Sequence, residues 1–186
     1  KSTLDSKAVI RIGLKIPVLK KVLQKAVKKK IGMVNCKYAI TGAAPINPDI
    51  LKLFHHIGVP LYEGYGMTET TAGASLNYEK NVKIGTVGRP MPGTELKTDT
   101  DGEIMFRGRH IMKGYYNNPE ATAEVMDGEW LRSGDIGKID SDGYVSITGR
   151  KKELYISSGG KNIAPLLIEE TMKAIPLVSQ CFLVGD

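Results

Sequence analysis

The chain of 186 residues is 41% hydrophobic and 25% charged, which is typical of a folded globular domain and excludes a wholly disordered chain. No apolar run approaches the roughly 20 residues that a membrane-spanning helix needs. Two cysteines, Cys36 and Cys181, are too few to predict a disulfide scaffold or a zinc site. The composition therefore predicts a protein of a reducing, cytoplasmic compartment.

The net charge of +6 is concentrated at one end of the chain. Residues 1–30 carry ten lysines and arginines against one acidic residue, whereas the other 156 residues carry 16 basic and 19 acidic side chains. A nucleic-acid-binding protein more often spreads its basic residues over the fold, so we expect no nucleic-acid partner. From Pro17, apolar residues at helical spacing predict an amphipathic helix with lysines on its other face. This basic helix is either a solvated outer helix or a peripheral contact with an anionic membrane through residues 1–30.

The next segment has the pattern of an open parallel α/β sheet. Residues 33–41 predict a buried strand, Asn47 and Pro48 predict the start of a helix that ends at His56, and residues 59–63 predict a second strand. Ligands of such sheets bind at the carboxyl ends of the strands. The loops that follow the two strands, 42–45 and 64–73, are therefore expected to carry the site.

From about residue 80, short β-like runs alternate with turn signals. Hairpin turns are predicted at three dipeptides: Asp101-Gly102, Asp127-Gly128 and Asp142-Gly143. Strands are predicted at 103–107, 144–148, 153–156 and 181–184, and helices at 120–126 and 166–175. The fold class is thus α/β, with the end of a parallel α/β subdomain (residues 1–80), an antiparallel barrel-like subdomain (81–150) and the start of a small α+β C-terminal domain (151–186).

The stretch from Tyr62 to Thr71 holds the densest set of chemically useful residues. Gly64 and Gly66 let the backbone approach a ligand closely, and Tyr65 between them offers a flat face for an aromatic base. Thr68 supplies a hydroxyl for a phosphate oxygen, and Glu69 supplies a carboxylate suited to Mg²⁺. The structural alternative is a glycine-rich turn with a capping threonine and a surface glutamate.

Two charged residues further along fit the same ligand. Asp135, which follows Ser133-Gly134, has the chemistry to accept hydrogen bonds from a ribose diol, and Arg150 has a guanidinium suited to a phosphate or a sugar. Their ordinary alternatives are a turn aspartate and a surface charge cluster. The small residues of 41–45 expose peptide groups that would line the edge of a base.

Together these segments resemble the adenylate-forming superfamily, which comprises acyl-CoA synthetases, firefly-type luciferases and peptide-synthetase adenylation domains. The resemblance covers nearly all of residues 33–186 and is carried by five motifs in the family's order: Tyr65 to Thr70, Gly85 to Gly93, Gly114-Tyr115-Tyr116, Trp130 to Asp135 and Gly149 to Glu153. The segments 41–45, 108–110 and 159–165 look most like long-chain fatty acyl-CoA synthetases of the bubblegum type.

The resemblance implies a role for each matched position. Tyr65 would stack on adenine, with Gly42, Ala43 and Gly64 around it, and Thr68 would hold the α-phosphate. Glu69 would hold Mg²⁺, and Asp135 would bind the ribose with help from Arg150. Lys152 matches the hinge of the small C-terminal domain. The coenzyme A arm would contact the loop residues Ser158, Gly159 and Gly160, and Thr71 to Gly73 would lie near the acyl tunnel.

The implied reaction joins a fatty acid to coenzyme A through an acyl-AMP intermediate, with ATP, Mg²⁺ and these small molecules as the only required partners. Two family features are not found in the sequence: a phosphate loop in residues 1–40, and an adenylation lysine at the far end. We therefore expect a middle piece of a longer enzyme that is weak or inactive alone. The open alternatives are an adenylate-forming enzyme for another acid (aryl, short-chain or amino acid) and a basic membrane-associated binding module.

Overall fold

The computed structural model describes residues 17–156, 159, 162–173, 175 and 177–184. The chain divides into two compact units. The first, which we name the helical unit, comprises the residues up to Ile40 together with Pro48–Leu61; the second, the sheet unit, comprises Thr41–Asn47 together with the residues from Tyr62 on. The predicted boundaries at residues 80 and 150 stay predictions.

The helical unit contains two predicted helices: α1 (Pro17–Lys30), which the apolar spacing predicts, and α2 (Pro48–His56), which Asn47 and Pro48 predict. Three lysines end α1, and two histidines end α2, so each last turn carries side chains that complement the helix dipole. Gly58 adopts φ +76° directly after α2, and the Val59 amide donates to the Phe54 carbonyl at 2.9 Å. This left-handed glycine confirms the predicted end of the helix. None of the described helices combines the length and apolar character that crossing a bilayer requires.

The first strand is shorter than the sequence predicts. Strand β1 covers only Ala39–Thr41, and the prediction of a strand over residues 33–38 is wrong. The Met33 amide donates to Lys28 at 2.8 Å and the Cys36 amide to Met33 at 3.2 Å, so these backbone groups are used in turns. Residues 33–38 include the apolar side chains on which the prediction rests, but their peptide groups do not join a sheet.

A four-stranded sheet follows the order β1-β2-β3-β4. The three later strands are β2 (Leu61–Tyr65), β3 (Ser75–Leu76) and β4 (Arg89–Pro90). The pairings β2–β3 and β3–β4 are antiparallel. The predicted strand over 59–63 is observed at Leu61–Tyr65 instead, so Gly64 and Tyr65 end the strand and only residues 66–73 of the predicted loop follow it.

A five-stranded antiparallel sheet occupies the following part of the sheet unit. Its order is β5-β6-β8-β7, with β9 also paired to β8. The strands are β5 (Thr94–Thr98), β6 (Glu103–Gly108), β7 (Met126–Asp127), β8 (Trp130–Ile139) and β9 (Val145–Arg150). Helix α3 (Pro119–Val125) precedes β7, and the Asn118 side chain caps it by accepting from the Ala121 amide.

All three Asp-Gly dipeptides lie where the sequence predicts hairpins. They connect β5 to β6, β7 to β8 and β8 to β9. Their glycines, Gly102, Gly128 and Gly143, adopt φ +84°, +61° and +81°. Because side chains disfavour this left-handed region, glycine sets the turn and through it the pairing of the flanking strands.

The core of the sheet unit is built around the buried residues of β6. Ala74, Ile104, Phe106 and Val145 are fully buried and pack together, with partly buried Tyr65 at the edge of this cluster. Strand β6 is buried over Glu103–Phe106 without the alternation of a surface strand. The sequence of β6 therefore places one carboxylate, that of Glu103, inside the fold.

After β9 the chain forms a 3₁₀ turn (Lys151–Glu153), the antiparallel pair β10 (Tyr155–Ile156) and β11 (Asn162–Ile163), and helix α4 (Pro165–Lys173). The prediction of a strand over 181–184 is wrong. The Leu183 amide donates to the Glu169 side chain at 2.8 Å instead of to a neighbouring strand. Helix α4 also ends before residue 175, where the Ile175 amide closes a turn on Met172.

Candidate functional site

Three residues that the sequence analysis singled out meet in the sheet unit. Tyr65 ends β2, and Asp135 of β8 lies directly opposite Arg150 of β9 in the strand register. The Tyr65 hydroxyl donates to Asp135 Oδ2, and Arg150 Nε lies 3.2 Å from Asp135 Oδ1. The Asp135 side chain is 8% exposed and that of Arg150 is 66% exposed. The group therefore has a buried carboxylate with a solvent-facing guanidinium beside it.

The surroundings of Tyr65 keep its hydroxyl protonated. Its ring packs against Phe106 with centroids 5.7 Å apart and ring planes tilted by 30°. Burial first, and then the hydrogen bond to Asp135, raise the pKa of Tyr65 far above its ordinary value. The phenol is thus a permanent donor to Asp135, and this bond holds the tyrosine ring in one orientation.

The segment of β8 directly before Asp135 is held by hydrogen bonds of its own. Ser133 Oγ donates to the Ile104 carbonyl at 2.6 Å and accepts from the Asp135 amide at 3.0 Å. The Gly134 amide donates to Glu103 Oε1 at 2.9 Å. These contacts fix Asp135 to β6, the most buried strand of the sheet.

The loop after Tyr65 folds back on itself at Gly66. A Cβ atom on Gly66 would lie 2.2 Å from the Ala72 carbonyl oxygen, so only glycine fits there. Thr71 and Ala72 adopt φ 52° and 75°, a left-handed conformation that costs energy in residues with a side chain. Backbone strain of this kind often marks a ligand-binding loop, and the residue types at these two positions do not predict it.

A buried threonine orients the predicted phosphate and metal residues. Thr70 Oγ1 accepts from the Met67 amide at 2.9 Å and donates to the Met67 carbonyl at 3.0 Å. Because Thr70 is buried, its two neighbours in the 3₁₀ turn lie nearer the surface: Thr68 is exposed and Glu69 is partly exposed.

Tyr115 is the residue that sequence reasoning missed. Its hydroxyl donates to Glu69 Oε1 at 2.7 Å, and the Met112 amide donates to the Glu69 carbonyl at 2.8 Å. The bond to Glu69 raises the pKa of Tyr115. Tyr115 belongs to the Gly114-Tyr115-Tyr116 motif, but its 46-residue separation from Glu69 leaves no local signal of a pairing.

Glu69 fits Mg²⁺ of the kind carried by a nucleotide. Mg²⁺ often takes one or two carboxylates from a protein and completes its octahedron with phosphate oxygens and water, which one partly exposed glutamate can supply. In the part of the chain that the structure describes, the only group of three carboxylates close enough to share an ion is Asp99, Asp101 and Glu103. That group already pairs with Arg132 and Lys151, which assigns it to an ion-pair network.

The predicted base-edge loop lies against β2. A Cβ atom on Gly42 would lie 2.9 Å from the Gly64 carbonyl oxygen, so the two predicted glycines are neighbours. Ala43 is exposed, with φ 66°. Glu63 is buried, and the Ile46 amide donates to its carboxylate. The structure thus brings Gly42 and Gly64 together directly before Tyr65.

The remaining predicted residues lie further along the sheet unit. Lys152 is exposed in the 3₁₀ turn directly after β9, and Gly159 is exposed in a turn. Ser158 and Gly160 lie outside the described residues. A cleft of about 450 Å³ is lined partly by Thr71, Gly73 and Met91. The hinge, coenzyme A and acyl-tunnel roles stay predictions.

Comparison with known proteins gives the class. The family model of the AMP-binding enzymes matches residues 14–116. The chain belongs to this family of adenylate-forming enzymes.

The similar curated proteins are fatty-acid ligases. The chain is 43% identical over 152 residues to the long-chain-fatty-acid–CoA ligase FadD15 of Mycobacterium bovis, which covers 82% of the chain and 25% of that protein. It is 40% identical over 182 residues to ACSBG2, a long-chain-fatty-acid–CoA ligase of Gallus gallus, with 94% and 24% covered. The chain therefore spans about a quarter of the length of these relatives.

Solved structures give the same fold. The o-succinylbenzoate coenzyme A synthetase of Bacillus subtilis in complex with AMP superposes with a TM-score of 0.76 at 29% identity, over 81% of the chain and 33% of that enzyme. The fatty acyl CoA synthetase of Mycobacterium tuberculosis superposes with a TM-score of 0.62 at 34% identity, over 80% and 32%. The predicted mixed α/β fold with an antiparallel, curled sheet is confirmed by these neighbours.

Proposed function

We propose that this chain is the nucleotide-binding part of an AMP-forming ligase that joins a long-chain fatty acid to coenzyme A. The observation that carries the proposal is the contact of Tyr65 and Arg150 with the buried Asp135 in a member of the AMP-binding family. Residues from two strands, β2 and β9, converge there on one carboxylate of a third strand, β8. A structural ion pair would not need a tyrosine held at the start of a strained, glycine-rich loop.

In the proposed site each residue has a defined task. The Asp135 carboxylate accepts hydrogen bonds from the ribose hydroxyls, and the exposed Arg150 guanidinium donates to the sugar or phosphate. The Tyr65 ring, fixed by its bond to Asp135, stacks on adenine. Thr68 donates its hydroxyl to the α-phosphate, and Glu69, oriented by Tyr115, holds Mg²⁺, which supplies neutralisation of developing negative charge.

The proposed reaction has two steps. A carboxylate oxygen attacks the α-phosphorus of ATP, the bond to the bridging oxygen breaks, and pyrophosphate leaves. The thiol sulfur of coenzyme A then attacks the acyl carbon, the carbon–oxygen bond to AMP breaks, and the thiol proton is released. The task of these residues in both steps is to hold the nucleotide in line with its attacking group.

The choice of a fatty acid rests on the curated relatives, which are long-chain-fatty-acid–CoA ligases at about 40% identity. The second candidate is an aryl acid, because the o-succinylbenzoate enzyme has a TM-score of 0.76 against this chain. Both candidates use the same nucleotide site, so only the acyl group distinguishes them.

A titration of adenylate analogues tests the proposal. Because the chain spans a quarter of its relatives' length, the assay uses the complete polypeptide that carries this sequence. Calorimetry compares AMP, a palmitoyl sulfamoyl adenosine and its benzoyl counterpart. Tighter binding of the palmitoyl compound than of the other two supports the fatty-acid ligase, tighter binding of the benzoyl compound selects the aryl acid, and no binding of any of the three overturns the adenylate-forming proposal.

We also propose that Lys152 is the hinge about which the following residues move to bring Ser158, Gly159 and Gly160 to coenzyme A. The substitution Lys152→Pro should then slow thioester formation more than acyl-AMP formation. Single-turnover assays of the two half-reactions measure this difference. Equal losses in both half-reactions would contradict the hinge.

A further inference from the structure

Glu103 is a buried carboxylate that the proposed chemistry does not use. It lies at the start of β6 with a side chain only 4% exposed. Its Oε1 accepts from the Gly134 amide at 2.9 Å. Its Oε2 accepts from Lys151 Nζ at 2.9 Å and from Arg132 Nη1 at 3.3 Å. Such a charge is tolerated inside a protein only with paired, hydrogen-bonded partners, and Glu103 has three.

The partners of Glu103 also contact three acidic residues that lie nearer the surface. Arg132 also contacts Asp99 at 2.8 Å and Asp127 at 3.0 Å, and Lys151 contacts Asp101 at 2.5 Å. Those contacts are partly or largely exposed to solvent, where screening leaves an ion pair little effect. Glu103 is the buried residue at the centre of this network, so its substitution should have a larger effect than substitution of the other acidic residues.

The strand register explains why β8 needs this carboxylate. Glu103 pairs with Ile136 and Met105 with Arg132, so the one residue between these pairs on β6 lies opposite three residues of β8. The segment between them, which contains Gly134 and Asp135, bulges from the ladder. Amides in such a bulge lose their cross-strand acceptor, and Glu103 Oε1 supplies one to Gly134.

The contacts of Glu103 flank the Asp135–Arg150 pair on both strands. Gly134 directly precedes Asp135 on β8, and Lys151 directly follows Arg150 after β9. We propose that Glu103 is a positioning residue that sets the geometry of Asp135 and Arg150 toward the ribose of the nucleotide. The proposal rests on the proposed function of that pair, and Glu103 itself does not contact the ligand.

The substitution Glu103→Gln tests this in the complete polypeptide. Glutamine keeps the shape and one acceptor oxygen, but its amide group cannot accept from both Lys151 and Arg132. We expect binding of AMP to weaken about tenfold, and the preference for AMP over 2′-deoxy-AMP and 2′,3′-dideoxy-AMP to shrink toward one. The matched control is Glu95→Gln, which removes an exposed partner of Arg107 in the same sheet and should leave both quantities unchanged.

The preference for the ribose hydroxyls separates positioning from general stability. A variant that weakens AMP and the deoxy analogues by the same factor, or that keeps the wild-type preference, overturns the positioning role. If Glu103→Gln does not fold, as judged by its thermal transition, Lys151→Met decides, because Lys151 is 44% exposed and should be replaceable without loss of the fold. A wild-type protein that binds AMP no better than the dideoxy compound refutes the ribose assignment of Asp135 itself, which is a failure of the proposed function.

Discussion

In the sheet unit, Ile104, Phe106 and Val145 have no exposed surface, whereas among the described residues of the helical unit the buried apolar side chains are Leu51 and Val59. The helical unit instead exposes apolar residues: Val18 is 74% exposed and Leu53 57%. The two units differ in their site residues as well as in their packing. Every nucleotide-site residue whose contacts we describe lies in the sheet unit, on or beside strands anchored by the buried core.

This comparison indicates why, among the described residues, the ion pairs that include a buried side chain lie in the sheet unit. A carboxylate can be held within hydrogen-bond distance of two partners only if the backbone beneath it does not move. Strand β6 provides that support, because its residues Glu103–Phe106 are buried in succession. The helices of the helical unit are set mainly by local signals, which are the last-turn lysines and histidines and Gly58.

The largest effect should come from emptying the core of the sheet unit. Phe106→Ala should lower the free energy of unfolding by about 3–5 kcal/mol, since it removes a fully buried ring and leaves a cavity. The matched variant in the helical unit, Leu53→Ala, should change it by less than about 1 kcal/mol, because more than half of that side chain is already in water. Urea unfolding followed by far-ultraviolet circular dichroism, to which the helices and strands of both units contribute, measures both, and similar losses would contradict the comparison.

A second effect concerns the site itself. Asp135→Asn should weaken AMP binding by about 10- to 100-fold, since a hydrogen bond to a charged group contributes about 1.5–3 kcal/mol. The control Asp142→Asn removes an aspartate that is 65% exposed and 3.8 Å from Lys83, and it should leave the affinity unchanged. Calorimetric titration with AMP measures both. Wild-type affinity in a folded Asp135→Asn protein would contradict the role of this carboxylate in binding the nucleotide.

The sequence predicted the features that depend on neighbouring residues. Both helices of the helical unit and all three Asp-Gly hairpins follow from apolar spacing, caps and left-handed glycines, which act within a few residues. Residues 33–38 of the strand predicted over 33–41, and the whole strand predicted over 181–184, are not strands, because an apolar run does not supply a partner strand. In both places the amides bond to turns or to a side chain instead.

The same reasoning from the sequence predicted only part of the candidate site. Tyr65, Asp135 and Arg150 were identified through motifs, although 70 residues separate the first two. The hydrogen bonds of Glu69 to Tyr115 and of Glu103 to Lys151 were not predicted, because they span 46 and 48 residues and depend on strand register. A two-residue bulge in β8 has no signature in the amino-acid pattern, and so the role of Glu103 required the structure.

A smaller effect is expected at Tyr115, which touches Glu69 from outside the proposed nucleotide contacts. Tyr115→Phe removes the hydroxyl but keeps the ring, so the fold should persist while the Glu69 carboxylate loses its orientation. We expect the Mg²⁺ concentration for half-maximal acyl-AMP formation to rise a few-fold, because this hydrogen bond to a carboxylate is exposed, and competition from water limits its contribution to about 1 kcal/mol. The adjacent Tyr116→Phe, at a residue 93% exposed, is the control, and equal Mg²⁺ requirements in the two variants would argue against a role for Tyr115.

The smallest effect is expected at Glu63, a buried carboxylate of the sheet unit to which no cationic side chain among the described residues is bonded. Burial raises the pKa of Glu63 above its ordinary value, and the Ile46 amide offsets this only in part. A raised carboxyl pKa means that stability is fully present below the ordinary value of about 4.3 and is lost as the pH rises through the folded pKa. Glu63→Gln stays neutral and can still accept from Ile46, so its thermal midpoint should exceed that of the wild type at pH 7.

The advantage of Glu63→Gln should shrink as the pH falls toward 4, where the wild-type carboxyl is also neutral. Thermal midpoints between pH 4 and pH 8 measure this dependence, with Glu124→Gln on the exposed side of α3 as a control expected to show no such trend. A midpoint below that of the wild type at pH 7 would mean that the ionised carboxylate stabilises the loop at Ile46. Glu63 would then resemble Glu103 as an anchor of the site, and the two buried glutamates would differ only in the partners that hold them.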